Sequence, residues 1–360
     1  MVKSNANALG IIFPNSYDSL VPELVGERLM ASIPFASRYR MVDFILSSMV
    51  NCGIDNISII VRKNYHSLMD HLGSGREWDL TRKNGGLNIV PPFAEKTVKV
   101  YNGRVEALAS ILDFLKSQKE KYVVMSDANI AVNFDFNALI DAHIASGADV
   151  TVAYAEQEIP ASAINAPAVN KNLYYTLILD DGQVKEIKIN SKKAGIQNFS
   201  MNIYVIDREL LIDQISSAFV HAFKYDGYIA RISDMKSYFD ENMKMLDEKN
   251  LDALFSGNSI YTKIRDDNPT RYINGAKAKN IMAADGCVIE GEVENSVLFR
   301  GVKIGKGAKV KNCVLMQDTV VEPGVNIEYV ISDKNVTITA GKEVKGTDSF
   351  PVYVAKYQVV

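Results

Sequence analysis

The residues best placed for chemistry lie in a loop that follows the first apolar run of the chain. Residues 13–19 read FPNSYDS, in the place where an α/β nucleotide-binding protein usually has a glycine-rich loop around a phosphate. Pro14 removes a backbone donor, the side chains crowd the approach to the backbone, and Asp18 adds negative charge. The segment therefore keeps the position of a phosphate site without the residues that would bind a phosphate.

Histidine and cysteine chemistry is not indicated elsewhere. His66 and His71 lie five positions apart, which does not align two metal ligands on one helix face. Cys52, Cys287 and Cys313 form no CxxC pair and leave an odd count, which fits a reducing compartment and buried apolar roles. We predict no metal site from these residues.

The elements that would position the loop alternate between strands and helices up to about residue 245. Apolar, β-rich runs that read as buried strands lie at 8–13, 56–61, 121–126 and 149–155. Apolar residues at helical spacing occupy 41–53, 105–118 and 136–147. This order predicts a layered, Rossmann-like α/β domain with a mostly parallel sheet over residues 1–245.

The pattern changes in the C-terminal part of the chain. Leu298, Ile304, Val310 and Met316 recur every six residues, with small or polar residues between them. This period predicts a left-handed parallel β-helix of hexapeptide repeats over residues 276–360, after a polar linker at 246–275. Hexapeptide acyltransferases use a histidine as general base, but all four histidines here precede the repeat. The β-helix is expected to serve assembly and regulation.

Composition excludes several classes of function. The 360 residues include 40 basic and 43 acidic side chains, for a formal net charge of -3, and these charges are scattered. No basic tract indicates nucleic acid or an anionic membrane, and no apolar run approaches the length of a membrane span. The sequence therefore predicts a cytoplasmic protein that binds neither nucleic acid nor membrane.

Longer runs resemble one enzyme family over nearly the whole chain. The resemblance is carried by SIPFASRYRMVDFILSSMVNCGIDNISIIVRKNYHSLMDHLGSGREWDL, RKNGGLNIVPPF, YNGRVEAL, SMNIYVID and ENSVLFRGVKIGKGAKVKNCVLMQDTVVEPG. These runs resemble glucose-1-phosphate adenylyltransferase (ADP-glucose pyrophosphorylase) of bacterial glycogen synthesis, and within it the GlgD-type subunits found beside catalytic GlgC-type subunits. The resemblance implies that residues 1–245 form a nucleotidyltransferase-like (GT-A-like) domain. The family joins ATP to glucose 1-phosphate with Mg²⁺ and releases pyrophosphate.

The resemblance implies catalytic positions, and this sequence departs from them. The family uses a loop arginine, a lysine, two metal-binding aspartates and a sugar-phosphate lysine, and this chain has, in that order, Ser19, Met30, Ala128, Arg231 and Asn190. A thioether cannot neutralise a phosphate, and a cation in place of a carboxylate repels Mg²⁺. We expect no catalytic or metal site and no cofactor in the chain alone, with Mg²⁺ held by a catalytic partner.

Other family positions are retained. Tyr101, Gly103 and Ser200 match positions around the sugar, although a tyrosine, a turn glycine and a strand serine fit structural roles equally well. Residual sugar binding there stays open.

A basic group also matches the family. Arg28 and Arg40, with Arg38 between them, correspond to arginines near a phosphorylated-effector or sulfate site, and Lys309 and Lys311 on the repeat would complete an anion site by analogy. Interdomain salt bridges are the alternative interpretation of these arginines.

The substitutions favour a non-catalytic or weakly active regulatory subunit, predicted inactive alone, that assembles with the catalytic subunit in a hetero-oligomer, expected to be a tetramer. One alternative is an active nucleotide-sugar pyrophosphorylase in which Asp127, next to Ala128, acts as a displaced metal ligand. Another is a homo-oligomeric sugar-nucleotide sensor. Residual activity, effector, stoichiometry and homo-oligomeric state are left open by the sequence.

Overall fold

A computed structural model describes residues 7–82, 85–91, 104–109, 111–158, 174–193, 195–213, 220–273 and 275–360. The chain forms two compact units. The first comprises Met1–Ser32, Val42–Ile229 and Asn258–Tyr261, and the second comprises Ile33–Met41, Ala230–Gly257 and Thr262–Val360. Residues 246–275, the expected linker, contain the helix Glu248–Phe255 and lie in the second unit except for Asn258–Tyr261.

The described strands and helices are numbered along the chain. The strands are β1 (Ala8–Phe13), β2 (Pro34–Phe35), β3 (Tyr39–Arg40), β4 (Asn56–Ile60), β5 (Gly86–Val90), β6 (Tyr122–Asp127), β7 (Ile130–Ala131), β8 (Val150–Glu158), β9 (Tyr175–Asp180), β10 (Gln183–Ile189), β11 (Ile196–Asp207), β12 (Val220–Lys224), β13 (Ala230–Arg231), β14 (Arg271–Tyr272), β15 (Lys277–Ala283), β16 (Val288–Ile289), β17 (Glu292–Leu298), β18 (Lys303–Ile304), β19 (Lys309–Lys311), β20 (Val314–Leu315), β21 (Val320–Val321), β22 (Asn326–Glu328), β23 (Val330–Ser332), β24 (Thr337–Ile338), β25 (Glu343–Lys345) and β26 (Val352–Val354). The helices are α1 (Pro22–Val25), α2 (Met41–Asn51), α3 (His66–Leu72), α4 (Arg104–Ala109), α5 (Leu112–Ser117), α6 (Phe136–Ser146), α7 (Arg208–Asp213), α8 (Met235–Lys244) and α9 (Glu248–Phe255).

The first unit is built on a sheet whose described strands have the order β5-β4-β1-β6-β11-β8-β12-β10-β9. β5, β4, β1 and β6 run parallel, whereas β11 runs antiparallel to both β6 and β8. The strands predicted near residues 8, 56, 121 and 149 are β1, β4, β6 and β8. The α/β class is confirmed, and the half of the sheet beyond β6 is mixed.

The first strand explains why the sheet is covered on both faces. All six residues of β1 are buried, and alternate side chains point to opposite faces. Ile12 packs in the cluster that contains Val42 of α2, whereas Leu9 packs with Leu115 of α5. A strand that is apolar on both faces is stable only between two helical layers.

Local signals set the limits of the helices. The Asp135 carboxylate accepts the backbone N–H groups of Asn137 and Ala138 at the start of α6, and Gly147 ends that helix with φ 62°. These are the expected caps of an isolated helical segment. The three cysteines are buried, and burial raises the pKa of Cys52 and Cys287 to about 11 and that of Cys313 to about 12, so they remain protonated core residues. Over the ranges that the structure describes, the helices are too short or too polar to span a bilayer.

The second unit contains a parallel β-helix, as predicted. The four residues that define the six-residue period, Leu298, Ile304, Val310 and Met316, are buried. Register partners Glu292, Lys309, Asn326 and Glu343 follow one another at intervals of 17 residues, one fewer than three complete hexads. The parallel pairing of successive coils places like positions in columns along the helix axis.

The β-helix coils approach each other too closely for a side chain at certain glycines. A Cβ added at Gly305 would lie 2.6 Å from the Pro323 nitrogen. We expect Gly305→Ala to lower the free energy of unfolding by about 1 to 2 kcal/mol, measured by urea titration, because backbone atoms must shift. Gly26→Ala is the control: Gly26 has helical dihedrals and open space around its Cβ position, so this change should be neutral or slightly stabilising. Equal costs at both positions would contradict the packing argument.

Candidate functional site

The loop after β1 meets the end of β6 at the carboxyl edge of the sheet. Phe13 and Asp127 are register partners in the parallel pair β1–β6, so residues 14–18 leave the sheet beside Asp127. Ligands of open α/β sheets bind at the carboxyl ends of strands. This edge is therefore where a nucleotide would be expected.

At this edge Asp127 is held by side chains of the same unit. It is 1% exposed, and its Oδ1 accepts hydrogen bonds from Ser16 Oγ at 2.7 Å and from Arg104 Nε at 3.2 Å. Arg104 Nη2 also donates to Asp127 Oδ2. Burial lowers the pKa of Arg104, but Asp127 together with Tyr204 and Tyr17 outweighs this effect, and the pKa of the guanidinium is raised above its ordinary value. The pair is a closed, charged contact.

The glycine-free loop supplies an anion of its own. Asp18 Oδ1 accepts the backbone N–H of Met30 at 2.8 Å, and Asp18 Oδ2 accepts Asn15 Nδ2 at 2.8 Å. Asn15 Oδ1 in turn accepts the backbone N–H of Arg62 at 3.0 Å. The polar side chains of the loop are thus used in contacts within the protein.

A buried polar cluster closes the site on the β11 side. The register of β11 shifts between Ser200 and Ile203, and Asn202 there has φ 55°. Asn202 Nδ2 donates to the Tyr17 hydroxyl, and Asn202 Oδ1 accepts the Tyr204 hydroxyl at 3.1 Å. Ser200 Oγ accepts the backbone N–H of Asn202 at 3.1 Å. Ser200, which matched a sugar position, thus helps to fix the bulge.

The replaced catalytic positions have other surroundings. Ser19 is exposed in a 3₁₀ turn, whereas Met30 and Ala128 are buried. Asn190 ends β10 with φ 51°, and its Oδ1 accepts the backbone N–H of Tyr174 at 3.1 Å. It therefore acts in a turn that asparagine tolerates.

The remaining predicted positions fall in different parts of the chain. Arg231 is buried in β13 of the second unit. Tyr101 and Gly103 lie outside the described residues, so the predicted sugar positions are represented only by Ser200.

The family implies Mg²⁺, and the residues at this edge do not fit it. Asp127 could ligate a cation only by exchanging its contacts with Arg104 and Ser16, and the neighbouring position is Ala128. Within the described part of the chain, no group of three or more His, Cys, Asp or Glu side chains is arranged to hold a metal. Mg²⁺ requires several oxygen ligands in octahedral geometry. No chemical step is therefore assigned to a metal here.

A second buried pair in the first unit was not predicted. His71 Nε2 lies 2.6 Å from Asp43 Oδ1, and both side chains are almost fully buried. Trp78 packs edge-on to the His71 ring and donates its Nε1–H to Ser47 Oγ at 3.2 Å. This network joins α2 and α3, and His71 has a structural role in it.

The predicted anion-site residues are distributed over both units. Arg28 is buried in the first unit, whereas Arg40, half-buried, belongs to the second. Lys309 and Lys311 are exposed on β19; Lys311 is a register partner of Glu294 and Glu328. Carboxylates beside a lysine oppose an anion, so the register gives no support to the two lysines as a phosphate site.

Another arginine in the second unit has a stronger electrostatic signature. Burial, followed by the nearby Arg38 guanidinium, lowers the pKa of Arg300. The Asp267 carboxylate raises it, and smaller contributions come from Arg265, which lowers it, and Asp285, which raises it. Arg300 Nη2 donates to the Lys263 carbonyl at 3.0 Å, while its buried Nε has no hydrogen-bond partner in the described residues. The neighbouring Arg38 guanidinium favours an anion beside Arg300, whereas the Asp267 carboxylate opposes one. Sequence spacing gave no sign of this group, because its members are about 30 to 260 residues apart.

The raised pKa of Asp18 predicts that the stability of the protein depends on pH. Burial raises the pKa of Asp18 above the ordinary 3.8. The stabilising contribution of the protonated Asp18 side chain is therefore complete below pH 3.8, and it is lost as the pH rises through the raised pKa. We expect Asp18→Asn to gain stability relative to wild type as pH increases from 4 to 7, measured by urea unfolding at each pH. Ser19→Asn, which adds the same side chain at the next position without changing charge, should differ from wild type by a constant amount. A difference for Asp18→Asn that shrinks with pH would contradict the burial argument.

Comparisons with known proteins agree with this architecture. A family model described as nucleotidyl transferase matches residues 27–162, and one described as GlmU-like, C-terminal hexapeptide, matches residues 264–350. The glycogen biosynthesis protein GlgD of Bacillus subtilis (strain 168) is 34% identical over 357 residues, covering 98% of this chain and 96% of that protein. GlgD of Geobacillus stearothermophilus is 36% identical over 85% of this chain and 83% of its own length.

Catalytic relatives match as well. Glucose-1-phosphate adenylyltransferase of Geobacillus stearothermophilus is 31% identical over 78% of this chain and 77% of that protein. The match extends through both units, which excludes a shared fold alone as the cause of the similarity. The chain belongs to the family of glucose-1-phosphate adenylyltransferases and GlgD glycogen biosynthesis proteins.

Proposed function

We propose that this protein is a non-catalytic or weakly active regulatory subunit of glucose-1-phosphate adenylyltransferase in glycogen biosynthesis. The observation that carries the proposal is that the chain's own charged groups are used at the edge where ATP and Mg²⁺ would bind. Asp127 is held by Arg104, and Asp18 takes the Met30 backbone donor. A ligand would have to break these contacts before it could bind.

The proposed partner is the catalytic subunit, which would supply Mg²⁺ and the intact phosphate loop in a hetero-oligomer. The parallel β-helix supports this role because its stacked coils form a rigid surface, and described histidines lie outside it. Modulation requires the subunit to contact the active and inactive states of its partner differently.

An anionic effector is part of the proposal. The arginines Arg28 and Arg40 stay candidates from the resemblance, and Arg300 adds a buried, like-charged position in the second unit. Mixed assemblies carrying Arg40→Ala or Arg300→Met should lose their response to a phosphorylated effector. An unchanged response in both variants would remove the effector site from the proposal.

Assembly is tested by co-expressing the chain with the catalytic subunit of its host. We expect a single hetero-oligomeric species whose mass, measured by light scattering, requires both chains. ATP binding by the chain alone, measured by calorimetry with Mg²⁺, should be undetectable. Separate elution of the two chains at micromolar concentration would contradict the proposed partnership.

A further inference from the structure

A groove in the second unit is lined only by residues of that unit, whereas the nucleotide-site edge belongs to the first unit. Two adjoining cavities of about 510 and 430 Å³ share Met243, Asp247 and Asn312. One side consists of corner residues of the β-helix, and the other consists of α8 and the start of α9. Clefts of this size commonly hold small ligands. We call this the corner groove.

The β-helix side of the corner groove is a column of residues in the left-handed conformation. Asn280, Asn295, Asn312 and Tyr329 have φ of 51°, 46°, 50° and 53°. Each directly follows a register position in successive coils, and Asn280 Nδ2 donates to Asn295 Oδ1 at 2.9 Å. With coils about 4.8 Å apart, the column runs for about 14 Å.

Tyr329 is the exception in this column. Asparagine adopts positive φ readily, whereas a bulky residue there is strained. Tyr329 lines the second cavity, and its ring lies 6.2 Å from the Phe239 ring. Strained residues cluster at functional sites, and Tyr329 combines its positive φ with a place in the corner groove.

The charges of the groove exclude some ligands. Four carboxylates and one ammonium line the two cavities: Asp240, Asp247, Glu248, Asp348 and Lys244. This excess of negative charge disfavours phosphates and other anions. Among the described residues, no three or more His, Cys, Asp or Glu side chains are arranged in this groove to hold a metal ion.

A ligand rich in hydroxyl groups fits the polar side chains of the corner groove. Amide and carboxylate oxygens accept hydrogen bonds from hydroxyls, and amide nitrogens donate to them. An aromatic ring adds a flat apolar surface for packing. The corner groove combines amides repeated along about 14 Å, acidic groups opposite them and one half-buried ring. It therefore suits a chain of neutral, polyhydroxylated units.

We propose that the corner groove binds a short linear oligosaccharide of neutral sugars, with Tyr329 as the packing surface and the asparagine column as the hydrogen-bonding surface. The groove argument is independent of the proposed function. Only the choice of an α-glucan as the first probe rests on that function.

To test this, maltoheptaose and, separately, cellohexaose are titrated into the full chain. Binding is measured by calorimetry and by saturation-transfer NMR. Tyr329→Asn should weaken binding by about tenfold or more, because it removes the ring. It should fold, because asparagine is the residue of the preceding coils. Tyr357→Asn is the matched control: Tyr357 also has positive φ, 64°, and is exposed, but it does not line either cavity.

Binding of either sugar that is lost in Tyr329→Asn and kept in Tyr357→Asn supports the proposal, and the sugar that binds defines the linkage. Equal binding in wild type and Tyr329→Asn, or no binding of either sugar, overturns it. Binding of heptalysine without either sugar would assign the groove to a basic peptide and overturn it as well. None of these results depends on whether the chain modulates a catalytic partner.

Discussion

Replacing His71 with leucine should lower the free energy of unfolding by about 3 to 5 kcal/mol. The imidazole lies 2.6 Å from the Asp43 carboxylate, and Asp43 is 0% exposed. Leucine fills the space but offers the carboxylate no hydrogen bond, so the cost is that of a buried carboxyl group that loses its contact with the imidazole. Urea unfolding monitored by Trp78 fluorescence measures the effect close to the site, because Trp78 packs against His71.

His66→Leu is the matched control for this prediction. His66 lies on the same helix, α3, but is exposed, so its replacement should change stability by less than about 0.5 kcal/mol. An Asp43→Asn background provides a second check, because it removes the buried charge. A cost of His71→Leu that is equal in both backgrounds would mean that the two residues do not act as a pair.

Replacing Asp127 with asparagine should destabilise the protein by about 2 to 3 kcal/mol. Asp127 neutralises Arg104, whose side chain is 28% exposed, so the loss is smaller than for a fully buried pair. If Asp127 instead served only as a displaced metal ligand, its replacement would leave stability unchanged or raise it, because functional carboxylates usually cost stability. Urea unfolding without divalent cations therefore separates the regulatory interpretation from the active-enzyme alternative.

Asp55→Asn is a suitable comparison for Asp127→Asn. Asp55 also contacts an arginine, Arg82, but both side chains are well exposed. Exposed pairs contribute little, so this change should cost under about 1 kcal/mol. Similar effects at Asp55 and Asp127 would show that the Arg104 contact is not an important part of the fold.

Much of the fold was predictable because periodicity reports burial. The apolar runs became β1, β4, β6 and β8, and the six-residue repeat became the β-helix. The segment 105–118 was predicted as one helix but forms α4 and α5, with Ile111 at φ -114° before α5. The apolar spacing continues across the break between α4 and α5, so the spacing could not reveal the break. The antiparallel direction of β11 depends on strand pairing and has no local signal.

For the site, the sequence predicted only which catalytic residues are missing. Substituted positions such as Met30 and Ala128 are visible in the sequence, and both are buried in the structure. The residues that bond to Asp127 could not be identified from the sequence, because Arg104 is 23 positions from Asp127 and contacts it only in the folded protein. Asp18 was expected to repel phosphate, but its bond to the Met30 N–H depends on the loop geometry.

The most direct test of the central claim is Mg²⁺-dependent release of pyrophosphate from ATP and glucose 1-phosphate. It is measured with the protein alone, with the catalytic subunit of its host, and with the two mixed. We predict no release above background by the protein alone and a changed rate or effector response in the mixture. Robust turnover by the protein alone, or a mixture that behaves like the catalytic subunit by itself, would contradict the account.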